Sequence, residues 1–155
     1  MTDSLVRDLA DRAAIRRLVE GYAHGCDRRE PESVAALFTE DGRLEIYEEG
    51  DPDLARSARV RTGREEIAAA LTRLSRYDVT THLLGQHTVE LDGDRATGET
   101  YCMAHHLSHV DGARHDHVLS IRYLDGYRRT PDGWLIELRK LAVDWSDERE
   151  VGAAP

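Results

Sequence analysis

Three turn signals divide the second half of this chain: "DGD" at 92–94, "DG" at 111–112 and "TPDG" at 130–133. Gly and Asp tolerate the positive φ angles that tight hairpins demand, so each signal reverses the chain within a few residues. The intervals between them read as strands over about Thr80 to Leu91, Arg95 to Val110, Ala113 to Arg129 and Trp134 to Trp145. Consecutive strands joined this tightly pair antiparallel, which commits the C-terminal half to one long meander. Whatever precedes it must cover a face of that sheet.

The preceding elements are mostly helical. "LVRDLADRAAIRRLVEGYAHGC" sets Leu5, Leu9, Ile15, Leu18, Val19 and Tyr22 at three- and four-residue steps, the pattern of an amphipathic helix. "REPESVAALFTEDG" predicts a shorter one, with Pro31 in its first turn, Val34, Leu37 and Phe38 as its apolar stripe and Gly42 ending it. "RLEIYEE" alternates as a strand, "GDPDLARSAR" has loop composition, and "GREEIAAALTRLSRY" is a third helix with Ile67, Leu71 and Leu74 toward a core. The expected fold class is α+β, a strongly curved antiparallel sheet forming a cone around N-terminal helices, with a pocket at its mouth. Residues 1–146 are expected to make one domain and the tail 147–155 to fray.

At 155 residues the chain can bury a core with room for a pocket. Its formal charge of -9 argues against a nucleic-acid or anionic-membrane partner, and no apolar run approaches bilayer length. The expectation is a soluble cytoplasmic protein. Cys26 and Cys102 lack the C-x-x-C spacing of redox sites and read as free thiols.

Register arithmetic narrows the chemistry. With Asp111-Gly112 as a two-residue turn, Val110 pairs with Ala113, His106 with His117, Ala104 with Leu119 and Cys102 with Ile121. That face is small and apolar apart from two imidazoles and suits a pocket lining. The opposite face, with Tyr101, Met103, His105, Val118 and Ser120, is also mixed, so alternation alone does not choose between them. The preceding hairpin has two registers. A two-residue turn at Asp92-Gly93 sets His82 opposite Met103, whereas a three-residue "DGD" loop sets it opposite Ala104, on the face of His106.

Asp27 and His82 together would form an acid–base unit, the carboxylate accepting the Nδ1 proton and leaving Nε2 to abstract another. Abstraction beside a leaving group gives elimination; beside a carbonyl it gives isomerisation or cyclisation. Tyr22 and Tyr47 are candidate hydroxyl donors to a substrate oxygen. Five of the eight histidines flank the second hairpin. Adjacent histidines on a strand point to opposite faces, however, and no spacing resembles a zinc motif, so no metal is expected.

Together, "LADRAAIRRLVEGYAHGCDRREPESVAALFTEDGRLEIY", "TGREEIAAAL", "TTHLLGQHTVELDGDRATGETYCMAHH" and "YRRTPDGWLIELRKLAVDW" resemble the SnoaL-like branch of the nuclear transport factor 2-like superfamily, over about Leu5 to Trp145. The resemblance implies a sheet cone on three helices around a deep pocket, assembly as a homodimer or homotrimer, and neither metal nor organic cofactor. Members include scytalone dehydratase, hexachlorocyclohexane dehydrochlorinase and polyketide cyclases. In the first two, an Asp after the first helix and a His opening the next long strand form the catalytic dyad. Asp27 and His82 match those positions, which implies that the carboxylate points inward and Arg28 and Arg29 face out.

By the same resemblance His106 is a second pocket histidine and Tyr47 a water-holding tyrosine, while Cys26 replaces another tyrosine of that set. Arg139, on the last strand, falls where some relatives place a pocket cation, the alternative being a solvated strand arginine. The implied activity is a dehydratase-like lyase acting on a small hydrophobic substrate such as a polyketide, steroid or terpenoid. Tyr22, Cys102, Ala104, His117, Leu119, Ile121 and Arg139 would hold it. An isomerase or cyclase using the same dyad and a non-catalytic binding or assembly module are the alternatives.

Overall fold

The computed structural model of the chain describes residues 2–50, 54–55 and 59–152. Helices α1 (Thr2–Arg28) and α2 (Pro31–Ala35) lead into strands β1 (Phe38–Tyr47) and β2 (Arg59–Thr62). Helix α3 (Gly63–Leu71) and a 3-10 helix (Thr72–Arg76) precede β3 (Val79–Asp92), β4 (Arg95–Val110), β5 (Ala113–Thr130) and β6 (Gly133–Val151). The six strands form one curved, unclosed sheet in the order β2-β1-β6-β5-β4-β3. The meander β3 to β6 is antiparallel throughout, as its turns require. The sheet as a whole is mixed, because β1 runs parallel to β6 and so cannot be linked to it by a hairpin.

On α1, Ile15, Leu18, Val19, Tyr22, Ala23 and Cys26 are buried against the concave face, joined by Val34, Phe38, Ile67, Ile121, Tyr123 and Ile136. The apolar stripe is therefore buried from Ile15 onward, whereas Leu5 and Leu9 are each 59% exposed.

Several expected boundaries move, each for a local reason. Helix α2 stops at Ala35 rather than at Gly42, because Phe38 pairs with Ile136 and the Ile136 N–H donates to the Leu37 carbonyl at 2.9 Å. The Val34, Leu37, Phe38 spacing imitates a helix but straddles a helix and a strand. Gly42 lies instead in an irregularity of β1 between Phe38 and Arg43, where a Cβ would meet the Phe38 Cβ at 2.9 Å and the Thr39 carbonyl at 3.0 Å. Strand β2 begins at Arg59 and follows on from what reads as loop composition, pairing Arg61 with Leu44. Within that expected loop, residues 51–53 and 56–58 lie outside the described residues. The segment 147–151, expected to fray, is the end of β6 and pairs with β5 as far as Arg114 with Val151. Residues 153–155 lie outside the described residues.

The register of β3 positions the site. On β4 and β5 the expected pairs His106 with His117, Ala104 with Leu119 and Cys102 with Ile121 are all present. His82 does sit opposite Ala104, but not through a three-residue loop. The turn is the two-residue Gly93-Asp94, with Asp92 opposite Arg95, and a bulge between Leu84 and His87 adds one residue to β3. Burial alternation switches phase there: Thr80, His82 and Leu84 face inward before the bulge, and His87, Val89 and Leu91 after it. Without the extra residue, one end of β3 would present its inward set to solvent.

Candidate active site

Asp27 lies in the last turn of α1 rather than after it, one residue beyond the buried Cys26. Its Oδ1 accepts hydrogen bonds from His82 Nδ1 at 2.6 Å and Thr80 Oγ1 at 3.0 Å, and its Oδ2 accepts from the His82 backbone N–H at 2.9 Å. Burial opposes its ionisation, but these three donors outweigh that cost and hold the carboxyl below its ordinary value. An ionised Asp27 fixes the proton of His82 on Nδ1, which leaves Nε2 as the ring's lone-pair nitrogen. The His82 side chain is only 6% exposed and lines the main cavity.

That cavity has a volume of about 460 Å³. Leu44, Ile46, Leu71, Leu74, Leu119, Ile121, Leu141 and Val143 give it apolar walls, and His82, His106 and His117 contribute three imidazoles. The rings of His82 and His106 meet edge to face with centroids 5.8 Å apart, and Tyr77 lies 4.8 Å from His106. Burial pushes the His106 pKa down to about 4, against the opposing effect of the His117 carbonyl, which accepts from His106 Nδ1 at 3.2 Å. His106 is thus a neutral imidazole at neutral pH, with Nδ1 the donor and Nε2 an acceptor. It can receive a hydrogen bond from a substrate but is a poor donor to a leaving oxygen.

Of the other residues expected at the site, His117, Leu119, Ile121 and Tyr22 line the cavity. Tyr47 does not. It lies on the face of β1 opposite Leu44 and Ile46, and its hydroxyl donates to Glu45 at 2.7 Å. Cys102 and Ala104 share the inward face but are packed in the core and do not line the cavity; burial pushes the Cys102 thiol up to about 11. Arg139 is neither a pocket cation nor a solvated strand residue. It is fully buried beneath the cavity and bonds to Asp125 at 2.9 and 2.6 Å, with its guanidinium 4.1 Å from the ring centroids of both Tyr22 and Tyr123.

Arg28 is exposed, but Arg29 turns inward, which corrects the expectation for the pair. With φ at 60° it reverses off the helix end and donates to Thr80 Oγ1 at 2.7 Å, Cys26 O at 2.8 Å and Tyr77 O at 3.3 Å. Arg29 and Thr80 therefore brace the carboxylate, a role no motif announces; the one signal is an Arg directly after a helix whose last turn carries an acid. Tyr123 is also absent from the sequence reading, though its register opposite Thr100 and two residues from Ile121 places it on the pocket face. It lines the cavity, and its buried hydroxyl, near the Cys102 thiol, has no hydrogen-bond partner among the described residues.

The hairpin histidines are engaged elsewhere. His105 binds Asp116 at 2.8 Å, His109 binds Asp78 at 2.7 Å, and His115 faces Glu148 at 3.9 Å. Among the described residues no three His, Cys, Asp or Glu side chains are grouped so as to hold a metal ion. No described helix is long and apolar enough to cross a membrane.

The sequence profile of the SnoaL-like domain family matches residues 7–140. An uncharacterised Mycobacterium tuberculosis protein, Rv2910c, is 28% identical over 133 residues, covering 84% of each chain. Among solved structures, LinA superposes with a TM-score of 0.80 at 19% identity, over 100% of this chain and 99% of that one. A scytalone dehydratase-like protein of Novosphingobium aromaticivorans gives 0.77 at 24% identity, over 99% and 95%. An NTF2-like protein with a cystatin-like fold from the same organism gives 0.72 at 28% identity, over 92% and 87%.

Proposed function

The chain belongs to the SnoaL-like domain family, and from that premise we propose that it is a lyase of the dehydratase type, working by proton abstraction on a small hydrophobic molecule without a cofactor. The observation that carries this reading is the 2.6 Å hydrogen bond between His82 Nδ1 and Asp27 in a ring that lines an apolar cavity. His82 Nε2 takes a proton from a substrate carbon, and the freed C–H electron pair forms the double bond. The leaving hydroxyl departs with its bonding pair and takes up the proton from the His82 imidazolium, so that water is released and the ring returns to its starting form. Asp27 stabilises the imidazolium formed, which it can do because its own proton has been driven off.

His106 accepts a hydrogen bond from a substrate hydroxyl rather than donating one, and Tyr22 shapes the cavity beside Tyr123. The same abstraction beside a carbonyl gives isomerisation or ring closure, so those reactions share the machinery. Incubating cyclic alcohols and ketones of cavity size in D2O, with mass spectrometry for loss of water or gain of deuterium, tests the reading. Conversion or exchange that stops in both Asp27→Asn and His82→Gln is expected; wild-type rates in either variant would refute it.

A further inference from the structure

Along the sheet most arginines are paired: Arg95, Arg122, Arg128, Arg129, Arg139 and Arg149 each meet a carboxylate. The cavity is different. Arg59 and Arg61, two apart on β2, project to one face, and Arg73 and Arg76, three apart on the 3-10 helix, stand one above the other. All four line the cavity, and Arg59, Arg73 and Arg76 are exposed there, which makes them its rim.

Among the described residues, only Arg59 of the four has an acidic partner, Glu48 at 2.9 Å. The second glutamate lining the cavity, Glu49, accepts from Ser146 instead. Arg61 reaches the Val60 carbonyl, Arg76 donates to the Tyr77 hydroxyl and stacks on its ring, and Arg73 has no partner among the described residues. A protein of net charge -9 thus carries, at the entrance to its apolar cavity, cations that the carboxylates among the described residues leave unneutralised. Such a cluster focuses potential on the opening and favours entry of an anion.

Taking the small-molecule pocket as given, we propose that this rim is the subsite for an anionic group, a carboxylate or phosphate, on a substrate whose apolar body fills the cavity. The guanidinium groups donate paired hydrogen bonds to the anion's oxygens, while the walls below exclude water from the apolar part. Neutral terpenoids or steroids would then be poorer ligands than their acids or phosphorylated derivatives.

Calorimetric titration of the purified protein with three probes sharing one ring system tests this: 1-naphthaleneacetate, 1-naphthyl phosphate and the uncharged 1-naphthaleneacetamide, each at low and at 0.5 M salt. At least one anion should bind on the order of tenfold more tightly than the amide, with the advantage shrinking in salt. The tighter of the two anions identifies the group. The advantage should vanish in Arg73→Gln/Arg76→Gln, with Arg61→Gln as a further variant, while affinity for the amide is kept. It should persist in His82→Gln, so failure of the dyad chemistry and failure of the rim remain distinguishable. Equal affinity for all three probes, binding of none, or an anion preference that survives the rim substitutions would overturn the proposal.

Discussion

Asp27 with His82 and Asp125 with Arg139 are two carboxylates, each clamped by a nitrogen side chain, in one interior. Both pairs close at 2.6 Å. Asp125 and Arg139 have no exposed side-chain surface at all, and Asp125 accepts a further hydrogen bond from Tyr127 at 2.8 Å. Asp27 remains 24% exposed, and the His82 ring lines the cavity with one nitrogen uncommitted. The difference teaches that it is the partner's spare valence that separates chemistry from scaffolding, not the presence of a buried acid. A guanidinium held between two tyrosines keeps its charge and supports the pocket floor. An imidazole held at one nitrogen can trade a proton at the other.

Substitutions on the two sides should therefore fail differently. The largest expected effect is on the open pair: Asp27→Asn or His82→Gln should lower turnover by about 10²- to 10⁴-fold while lowering the thermal midpoint by only about 2–4 °C, measured by steady-state kinetics beside calorimetry. Next comes the closed pair. Arg139→Leu should lower the unfolding free energy by about 3–5 kcal/mol in urea titration, because Asp125 is left buried and unpaired. Adding Asp125→Leu should restore much of that loss, and a double variant weaker than the single would break the contrast.

The third effect is pH-dependent and lies between the two pairs. His106 is neutral in the fold down to about 4, whereas the unfolded chain takes up a proton below about 6.5. The unfolded state then binds more protons, so stability is full above 6.5 and falls as pH drops toward 4, by up to about 3 kcal/mol. His106→Asn should remove that slope from unfolding measured between pH 7.5 and 4.5. Asp27, whose folded pKa is depressed, contributes in a separate window, its share lost only as pH falls below 3.8. The smallest effect belongs to the brace: Thr80→Val removes one hydrogen bond to Asp27 and one of the acceptors of Arg29 Nη1, for about 1 kcal/mol of stability and a few-fold loss in rate.

Much of this arrangement is legible in the residues, and the failures have common physical causes. Turn chemistry at Asp111-Gly112 determines every pair from Val110 with Ala113 to Arg95 with Arg128, so the residues that share a face of β4 and β5 follow by counting, while the choice of the inward face awaits the helices packed on it. Counting breaks at bulges, which carry no turn composition. On β3 the phase shift from Leu84 to Val89 and Leu91, with Gly85 between, is the only trace of one. On β1 the alternation in "RLEIY" already sets Tyr47 on the face opposite Leu44 and Ile46, and only the family resemblance places it in the pocket. Arg139 is assigned to the pocket by resemblance alone, since its burial depends on Asp125 across the sheet and Tyr22 on a helix, contacts that sequence spacing does not encode.

The account rests on Asp27 holding the His82 proton on Nδ1, and nitrogen-15 NMR of the imidazole reads that directly. In its neutral form His82 should show a protonated Nδ1 and an unprotonated Nε2 as a single tautomer, and Asp27→Asn should disturb it. A proton on Nε2, or a spectrum unchanged by Asp27→Asn, would contradict it.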